Sequence, residues 1–376
     1  MSRIVSPSLT GERTASYNLG GEHIQVIYPF RRTHVSFMPS IHRIGVIGAG
    51  AWGTALAKHL AEKGLRTLLW AYEREVVDAI NGKHENPVFL PGVSLPASLV
   101  ATGSLVDITQ QSEGLLFVVP SHVARPVLRE LVRSLSTPIP FVSATKGVEE
   151  DTLNLMTHVM TDVLPPAMHQ GLMVLSGPSF AAEVCAGKPA VVCLAGKNVE
   201  LVKTFQAALM TPSFRVYADS DVLGVQLGGA LKNVMALAAG VVDGLGLGHN
   251  ARAALITRGL AEMVRLGVAM GADPRTFYGL SGVGDLMLTC TGALSRNHTV
   301  GVRLGKGERL EMILGSMQAV AEGVRTAKAA LGLARRHRVD MPIVQEVNAV
   351  LFEGKSCRKA VTDLMERDAK PEKGQP

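Results

Sequence analysis

The stretch Ile44-Gly-Val-Ile-Gly-Ala-Gly-Ala-Trp-Gly53 decides the fold of the N-terminal half of the chain. A short apolar run leads into the spacing Gly48-x-Gly50-x-x-Gly53, and a run of good helix formers follows. This order predicts a strand, a glycine turn and a helix, the setting that a dinucleotide-binding fingerprint requires. Gly48 permits the tight turn, Gly50 lets the backbone approach a pyrophosphate, and Gly53 allows close helix packing. A tight turn without a ligand is the alternative interpretation.

The next apolar run, Thr67–Trp70, leads into Ala71-Tyr72-Glu73-Arg74. In a dinucleotide-binding fold this position holds the group that contacts the adenosine ribose. Glu73 indicates the 2′-hydroxyl of NADH, whereas Arg74 indicates the 2′-phosphate of NADPH. A solvated surface pair explains either residue equally well. The expected cofactor is therefore NADPH or NADH.

Further apolar runs predict more strands, and three of them end in polar loops that contain glycine or proline. The runs are 115–119, 141–143, 173–175, 190–194 and 214–217, and the loops are 120–122, 144–147 and 176–180. Ligands of open α/β sheets bind beyond the carboxyl ends of the strands, so these loops should surround the site. Lys146 is then directed at the site, whereas a lone His122 after a strand is more typical of a structural hydrogen-bonding residue.

The C-terminal half predicts helices and no convincing strand. The helical segments are one around Lys232 and those at 251–270, 312–321, 324–337 and 343–351. Lys232 is anomalous because apolar and small residues surround it at helical spacing, and a buried ammonium is costly unless it is paired. Burial lowers the pKa of a lysine, which suits a proton carrier near neutral pH. A lysine that extends its ammonium to solvent along an apolar stem is the alternative.

Two polar segments lie between the predicted helices, Gly282–Thr291 and Ser295–Asn297. They concentrate aspartate, threonine, serine, arginine and asparagine, and we interpret them as loops that form an anion pocket. For Ser295-Arg296-Asn297 the alternative is a helix N-cap with a solvated arginine.

Composition excludes several classes of protein. The net charge is +6, and no cluster of basic residues with interleaved aromatics suggests nucleic-acid binding, whereas an anionic small molecule fits. The uncharged apolar runs are shorter than a membrane span requires, so we expect none. Four scattered cysteines show no metal-ligand spacing and suit the reducing cytoplasm, which predicts a cytoplasmic protein without a metal site.

These patterns predict an α/β protein with an N-terminal Rossmann-like, doubly wound sheet followed by an all-α C-terminal domain. The predicted segments are a flexible N-terminal extension at 1–40, the dinucleotide-binding domain at 41–218, the helical substrate and catalytic domain at 219–366, and a disordered tail at 367–376. Met38 lies just before the first predicted strand, so an upstream start codon could have added the extension.

Nine ordered segments resemble bacterial NAD(P)-dependent glycerol-3-phosphate dehydrogenases, from about residue 42 to about residue 366. They are the residues 48–53, 89–92 (Phe-Leu-Pro-Gly), 119–122, 144–147, 176–181 (Ser-Gly-Pro-Ser-Phe-Ala), 224–233, 250–262, 282–286 and 288–291. The resemblance implies reversible reduction of dihydroxyacetone phosphate to sn-glycerol 3-phosphate, a precursor of glycerophospholipids. Another two-domain hydroxy-acid dehydrogenase, or a nucleotide sensor without catalysis, is the alternative.

The resemblance also implies roles for individual residues. The family's proton-transferring lysine corresponds to Lys232. Substrate contacts correspond to Lys146, Gly177, Ser179, Lys232, Asp285, Ser295, Arg296 and Asn297. Cofactor contacts correspond to Ala51, Trp52, Tyr72, Lys146, Ala181, Arg296, Val320 and Glu322, beside the three glycines of the turn. The expected partner is a small phosphorylated substrate, and the chain is a possible homodimer.

Overall fold

The computed structural model describes residues 12–19, 22–29, 41–317, 321–369 and 371–372. The helices and strands in these ranges are β1 (Glu12–Leu19), β2 (Glu22–Pro29), β3 (Arg43–Ile47), α1 (Ala51–Glu62), β4 (Arg66–Trp70), α2 (Arg74–Lys83), β5 (Glu85–Asn86), β6 (Leu90–Ser94), β7 (Val100–Thr102), α3 (Leu105–Gln111), β8 (Gly114–Phe117), α4 (Ala124–Ser134), β9 (Phe141–Ser143), α5 (Met156–Val163), β10 (Leu172–Ser176), α6 (Ala181–Cys185), β11 (Ala190–Gly196), α7 (Val199–Leu209), β12 (Phe214–Asp219), α8 (Val222–Gly244), α9 (Gly248–Met270), α10 (Asp285–Thr291), α11 (Arg296–Gly305), α12 (Leu310–Gly315), α13 (Glu322–Arg336), α14 (Pro342–Phe352) and α15 (Cys357–Met365).

The N-terminal segment forms a unit of its own that contains strands β1 and β2. The two strands pair antiparallel, with Glu12 opposite Pro29 and Leu19 opposite Glu22. These strands lie within the segment that we predicted to be a flexible extension, and the sequence analysis did not predict them. The sequence signal was the period-two alternation of apolar residues at positions 24, 26 and 28, which a search for continuous apolar runs overlooks.

The remaining chain is built around an eight-stranded sheet with the order β12-β11-β10-β9-β8-β3-β4-β7. Neighbouring strands are parallel except β10 and β11, which pair antiparallel, so β11 and β12 run against the other six strands. All the apolar runs predicted as strands in this part of the chain are strands of this sheet. The carboxyl ends of β3, β8, β9 and β10 therefore lie along one edge of the sheet.

Both faces of this sheet are covered, as a doubly wound fold requires. In β8, Leu116 belongs to the core that helices α1, α2 and α7 complete, whereas Leu115 and Phe117 belong to the core on the other face, under α3, α4 and α5. Alternate side chains of a strand point to opposite faces, so a strand buried on both faces is apolar throughout. The predicted Rossmann-like sheet is confirmed.

The C-terminal part is all-helical, as predicted, and packs around helix α8. Among the described residues, α8 is the one helix that is long and apolar enough to cross a membrane by length and composition, but 94% of its most apolar window is buried inside the protein. We had expected no membrane-spanning helix from the lengths of the uncharged apolar runs, and this criterion did not consider α8 over its whole length. Its burial is that of a domain's central helix.

Glycines allow α8 and α11 to approach each other very closely. A Cβ atom at Gly240 would lie 2.1 Å from the carbonyl oxygen of His298, and one at Gly301 would lie 2.0 Å from the carbonyl oxygen of Leu237. No side chain fits at such distances. The two backbones are therefore in direct contact, which fixes the position of the N-terminus of α11 relative to α8.

Several predicted details of the C-terminal part are wrong. Residues 285–291 of the predicted loop 282–291 form helix α10, and Arg296 and Asn297 of the predicted loop 295–297 begin helix α11, whose N-cap is Ser295 as the alternative interpretation predicted. Their predicted loop character rested on polar composition, yet Asp285 and Thr289 lie one turn apart on a single helix. The predicted helix at 312–321 ends at Gly315 within the described residues, and residues 318–320 lie outside them. Arg367, the first residue of the tail that we predicted to be disordered at 367–376, forms an ion pair with Asp340 at 2.7 Å.

One buried carboxylate caps a helix from a distance. Glu262 of α9 is buried, and its two oxygens accept hydrogen bonds from the backbone N–H groups of Ile343 (2.8 Å) and Val344 (3.3 Å) in the first turn of α14. Burial raises the pKa of Glu262 to about 7, although these two hydrogen bonds lower it. Protonation is therefore favoured by folding, and the stability that Glu262 contributes decreases as pH rises from its ordinary range towards 7.

We expect Glu262→Ala to lower the free energy of unfolding by about 1–3 kcal/mol at pH 5, because two buried N–H groups lose their acceptor. The loss should be smaller at pH 8, where the ionised carboxylate is itself costly to bury. Urea denaturation at both pH values measures it, with the exposed Glu130→Ala as the control. Equal losses at the two pH values would show that Glu262 does not titrate as described.

Candidate active site

The glycine turn between β3 and α1 has the shape of a pyrophosphate site. Gly48 has φ +114°, and a Cβ atom at Gly53 would lie 1.8 Å from the carbonyl oxygen of Gly48. At Gly50, by contrast, a Cβ atom would meet nothing within 4 Å. The turn is thus closed against the protein and open on the side from which a ligand would reach the N-terminus of α1, so these residues fit a dinucleotide.

The residues that follow the glycine turn and strand β4 border this open side. Ala51 and Trp52 form the first turn of α1, and the ring of Trp52 lies 6.5 Å from that of Phe214. Tyr72 is 84% exposed and packs edge-on against Trp70. Glu73 is the N-cap residue of α2, and the Arg74 side chain is 94% exposed. Glu73 and Arg74 thus follow strand β4 directly, at the position where a dinucleotide-binding fold contacts the ribose.

Two lysines share one buried carboxylate at the centre of the site. Lys146 follows strand β9, and its Nζ donates to Oδ2 of Asp285 at 2.7 Å. Lys232 of α8 donates from Nζ to Oδ1 of the same carboxylate and to Oγ1 of Thr289 at 2.8 Å. The sheet domain and the helical domain are thus joined by charge-assisted hydrogen bonds through Asp285.

Glycine in α8 makes room for this arrangement. A Cβ atom at Gly229 would lie 2.6 Å from Oγ of Ser176 and 3.6 Å from Cγ of Lys146. Gly229 is three residues before Lys232, so it lies on the same face of the helix. The stem of Lys146 therefore passes over the backbone of α8 beside Lys232.

Burial lowers the pKa of Lys232 to about 7. The charge of Asp285 opposes this effect, and the charge of Lys146 adds to it. The predicted burial of Lys232 is observed, since the residue is only 6% exposed, and its ammonium does not extend to solvent. A lysine in this state can both donate and accept a proton near neutral pH.

The loop after β10 faces the two lysines. The carbonyl oxygen of Gly177 accepts hydrogen bonds from Nζ of Lys146 at 3.3 Å and from Oγ of Ser179 at 3.0 Å. Gly177 has φ +143°, and a Cβ atom there would lie 2.9 Å from Cα of Val192, so another residue would disturb the loop. Ala181 begins the short helix α6 just beyond.

At the start of α11, the exposed Arg296 lies between two buried residues, Ser295 and Asn297. Ser295 is the N-cap and accepts from the N–H of His298 at 3.2 Å, and Asn297 accepts from the N–H of Gly323 at 2.9 Å. Arg296, between them, is exposed and makes no hydrogen bond or ion pair within the described part of the chain. Both interpretations of this segment therefore hold in part, because it is an N-cap and it also presents an unpaired guanidinium.

Glu322 connects the helical domain to the loop after β8. Its carboxylate accepts from Oγ of Ser121 at 2.6 Å and from the N–H of Ser121 at 3.3 Å. Burial raises the pKa of Glu322, and the hydrogen bonds from Ser121 oppose this effect. Val320, the other expected cofactor contact in this segment, lies outside the described residues.

Two residues of this network were not predicted as site residues, Thr289 and Ser121. Thr289 lies four residues after Asp285, a spacing that places both on one helix face, but the segment had been interpreted as a loop. Ser121 follows the carboxyl end of β8, where the position itself was the available signal. Among the described residues, no group of three His, Cys, Asp or Glu side chains could hold a metal ion.

Comparisons with known proteins agree with this geometry. The profile of the NAD-dependent glycerol-3-phosphate dehydrogenase N-terminus matches residues 43–202, and that of the C-terminus matches residues 221–362. Glycerol-3-phosphate dehydrogenase [NAD(P)+] of Geobacter metallireducens is 56% identical over 332 residues, which cover 88% of this chain and 99% of the relative. The corresponding protein of Geobacter sulfurreducens is 54% identical with the same coverage.

A solved structure is similar over the same region. The crystal structure of glycerol-3-phosphate dehydrogenase from Coxiella burnetii has a TM-score of 0.83 and 38% identity, and the match covers 87% of this chain and 99% of that one. From the two profiles, the relatives and this structure together, the chain belongs to the NAD(P)-dependent glycerol-3-phosphate dehydrogenase family.

Proposed function

We propose that this oxidoreductase reversibly reduces dihydroxyacetone phosphate to sn-glycerol 3-phosphate with NAD(P)H. The observation that carries the proposal is the buried Asp285 carboxylate held between Lys146 and Lys232, because it holds a lysine whose pKa is about 7 in position for proton transfer. Oxidation of NADPH and of NADH by the purified protein, with and without dihydroxyacetone phosphate, tests it. A dehydrogenase for a hydroxy acid would instead require a 2-keto acid as the oxidant.

The cofactor fits the open side of the glycine turn, with Gly48, Gly50 and Gly53 around its pyrophosphate. When bound, the nicotinamide supplies or accepts the hydride. Further contacts with the cofactor are assigned to Ala51, Trp52, Tyr72, Lys146, Ala181, Arg296, Val320 and Glu322. The bond between Glu322 and Ser121 would keep one border of this site closed to water.

Lys232 is assigned the proton transfer. Its Nζ would donate to the substrate's C2 oxygen as negative charge develops there, and it would take the proton back in the reverse direction. Because its pKa lies near 7, both protonation states are accessible at neutral pH. Asp285 and Thr289 act on this lysine by orienting it, and Thr289 is itself fixed through its bond to the carbonyl oxygen of Asp285 at 2.6 Å.

The other substrate contacts divide into two groups. Lys146, Gly177 and Ser179 would position the hydroxyl and carbonyl end of the substrate, because they surround the lysine pair. The segment Ser295, Arg296 and Asn297 would hold the phosphate, since a guanidinium fork matches phosphate oxygens and the N-terminus of α11 favours an anion.

The biological setting follows from the reaction. We expect the product to supply the backbone of glycerophospholipids, and we expect the enzyme to act in the cytoplasm. A homodimer remains an expectation, supported by exposed apolar side chains at Tyr278, Met287 and Leu294.

Lys232→Ala should lower kcat for dihydroxyacetone phosphate reduction by at least about 10²-fold, because the proton donor is lost. In the unchanged enzyme, reduction should slow as pH rises through about 7, since the donor form of Lys232 is the protonated one. Steady-state kinetics over a pH series measures both effects. Lys58→Ala, which removes another buried lysine paired with a glutamate, is the control. A near-normal kcat in the Lys232 variant would exclude the assignment.

Arg296→Lys should raise KM for dihydroxyacetone phosphate more than it raises KM for unphosphorylated dihydroxyacetone. The substitution keeps the positive charge but loses the two-pronged contact with phosphate oxygens. Arg303→Lys changes an arginine of the same helix that pairs with Glu308, and it should alter neither value. Equal effects of the Arg296 substitution on both substrates would show that this arginine does not bind the phosphate.

The enzyme should accept both cofactors and prefer NADPH, because Glu73 can turn away and the exposed Arg74 can exchange its long ion pair with Asp78, 3.9 Å, for a 2′-phosphate. A charge-assisted hydrogen bond of this kind contributes roughly 1.5–3 kcal/mol. Arg74→Ala should therefore lower kcat/KM for NADPH and spare NADH, whereas Glu73→Ala should not lower either. A tenfold preference of the unchanged enzyme for NADH would identify Glu73 as the ribose contact instead.

A further inference from the structure

A second cleft lies away from the lysine pair, between the sheet domain and the helical domain. It has a volume of about 450 Å³, within the range of small-molecule sites. The start of α5 and the loop before it form one wall, the first turns of α8 form another, and the end of α13 closes it. None of the residues that line it belongs to the substrate or cofactor sites described above.

Four basic side chains from three separate parts of the chain border this cleft: His158, Lys197, Arg336 and His337. Lys197, His158 and His337 make no side-chain hydrogen bond or ion pair with any residue that the structure describes. Arg336 uses one nitrogen, which donates to the carbonyl oxygen of Thr152 at 3.1 Å. Most of the donor capacity around the cleft is therefore free.

One acidic side chain faces these groups. Asp221 is the single acidic residue among the described ones that line the cleft, and its carboxylate is held in place by neutral donors of the protein. Oδ1 accepts from the N–H of Gly224 at 2.8 Å, and Oδ2 accepts from the N–H of Asp273 at 3.0 Å and from Oγ1 of Thr276 at 2.7 Å. The two cations Lys197 and Arg336 outnumber this one carboxylate, and the excess of positive charge attracts anions.

The cleft is shaped before any ligand arrives. The loop between β9 and α5 is fixed by the two-pronged ion pair of Arg125 with Glu149, at 2.7 Å for each bond, and by an isolated antiparallel bridge between Val148 and Leu155. Leu153, which lines the cleft, is held at φ +60°. A preformed site spends little binding free energy on ordering the protein.

Apolar side chains complete the lining. Leu153, Leu223 and Met270 contribute carbon surface beside the basic groups. A purely inorganic anion would leave this surface unused, so the lining suits a molecule with an anionic group and an organic part. We propose that this cleft binds a small organic phosphate, separately from the substrate and the cofactor, and that its occupancy alters catalysis.

Two rigid connections lead from the cleft to the active site. The bridge between Leu155 and Val148 ends two residues after Lys146. Gln226, which lines the cleft and binds Thr157 through both its amide atoms, lies six residues before Lys232 on α8. Six residues of α-helix span about 9 Å. A ligand that shifts either wall of the cleft would thus move one of the two lysines that share Asp285.

Binding is tested with phenyl phosphate as the probe, which joins a phosphate group to an apolar ring, by calorimetry on the full chain saturated with NADP+ and dihydroxyacetone phosphate. These two ligands are both oxidised and cannot react with each other, and they occupy the phosphate subsites of the active site. Lys197→Glu/Arg336→Gln should weaken binding of the probe by at least about tenfold. Lys197→Glu alone, which removes no hydrogen bond, should weaken it in the same direction.

The matched control is Arg66→Glu/Arg133→Gln, which changes the net charge equally at exposed arginines outside the cleft. It should leave the affinity for the probe within about twofold, because general charge effects are weak at physiological salt. Absence of binding to the unchanged protein, or equal losses in the cleft and control variants, would overturn the site.

Catalysis supplies the second measurement. Phenyl phosphate should change kcat or KM of the unchanged enzyme by an effect that the Lys197 and Arg336 substitutions remove. Competition at the active site would persist in these variants. If the probe binds in the cleft but changes neither kcat nor KM in this way, the regulatory part of the proposal is overturned. If the unchanged protein has no activity with dihydroxyacetone phosphate, the proposed function is overturned instead.

Discussion

The site depends on one interaction, the sharing of the Asp285 carboxylate by Lys146 and Lys232. Without the carboxylate, two ammonium groups would lie side by side in a largely dehydrated place, and the pKa of Lys232 would fall further. Without the second lysine, the pair would be neutral and the proton would be held more tightly. The balance between one negative and two positive groups keeps Lys232 able to exchange a proton near neutral pH.

This interaction also connects the two halves of the protein. Lys146 comes from the edge of the sheet where parallel strands end, whereas Lys232 and Asp285 come from two helices of the C-terminal part. Glu322 and Ser121 form a second connection of the same kind. The sheet domain and the helical domain are therefore joined by hydrogen bonds at the proposed site, so a change in one domain acts directly on the other.

Sequence patterns predicted most of the sheet domain because its signals are local. The apolar runs of the central strands β3, β8, β9 and β10 are buried on both faces, and the glycine spacing at residues 48–53 admits few backbone shapes. The anomaly of Lys232 was likewise visible, since a charge within an apolar helix requires a partner. The resemblance implied Asp285 as a substrate contact, but no local pattern identified it as the partner of Lys232, because Asp285 lies 53 residues away on a helix whose polar composition suggested a loop. Two features were not predictable because they depend on contacts between residues distant in sequence. They are the antiparallel pairing of β10 with β11 and the hydrogen bond from Ser121 to Glu322.

The backbone contact between α8 and α11 has a consequence for how substitutions in this enzyme are to be interpreted. Gly240 and Gly301 touch no ligand, yet any side chain there separates the helix that carries Lys232 from the helix that begins with Arg296. In the proposed function, these two helices hold the phosphate end and the carbonyl end of the substrate. A scan of substitutions would therefore find inactivating positions along the contact between α8 and α11. These positions would inactivate the enzyme by changing the spacing of the two helices and not by removing a group that takes part in the reaction.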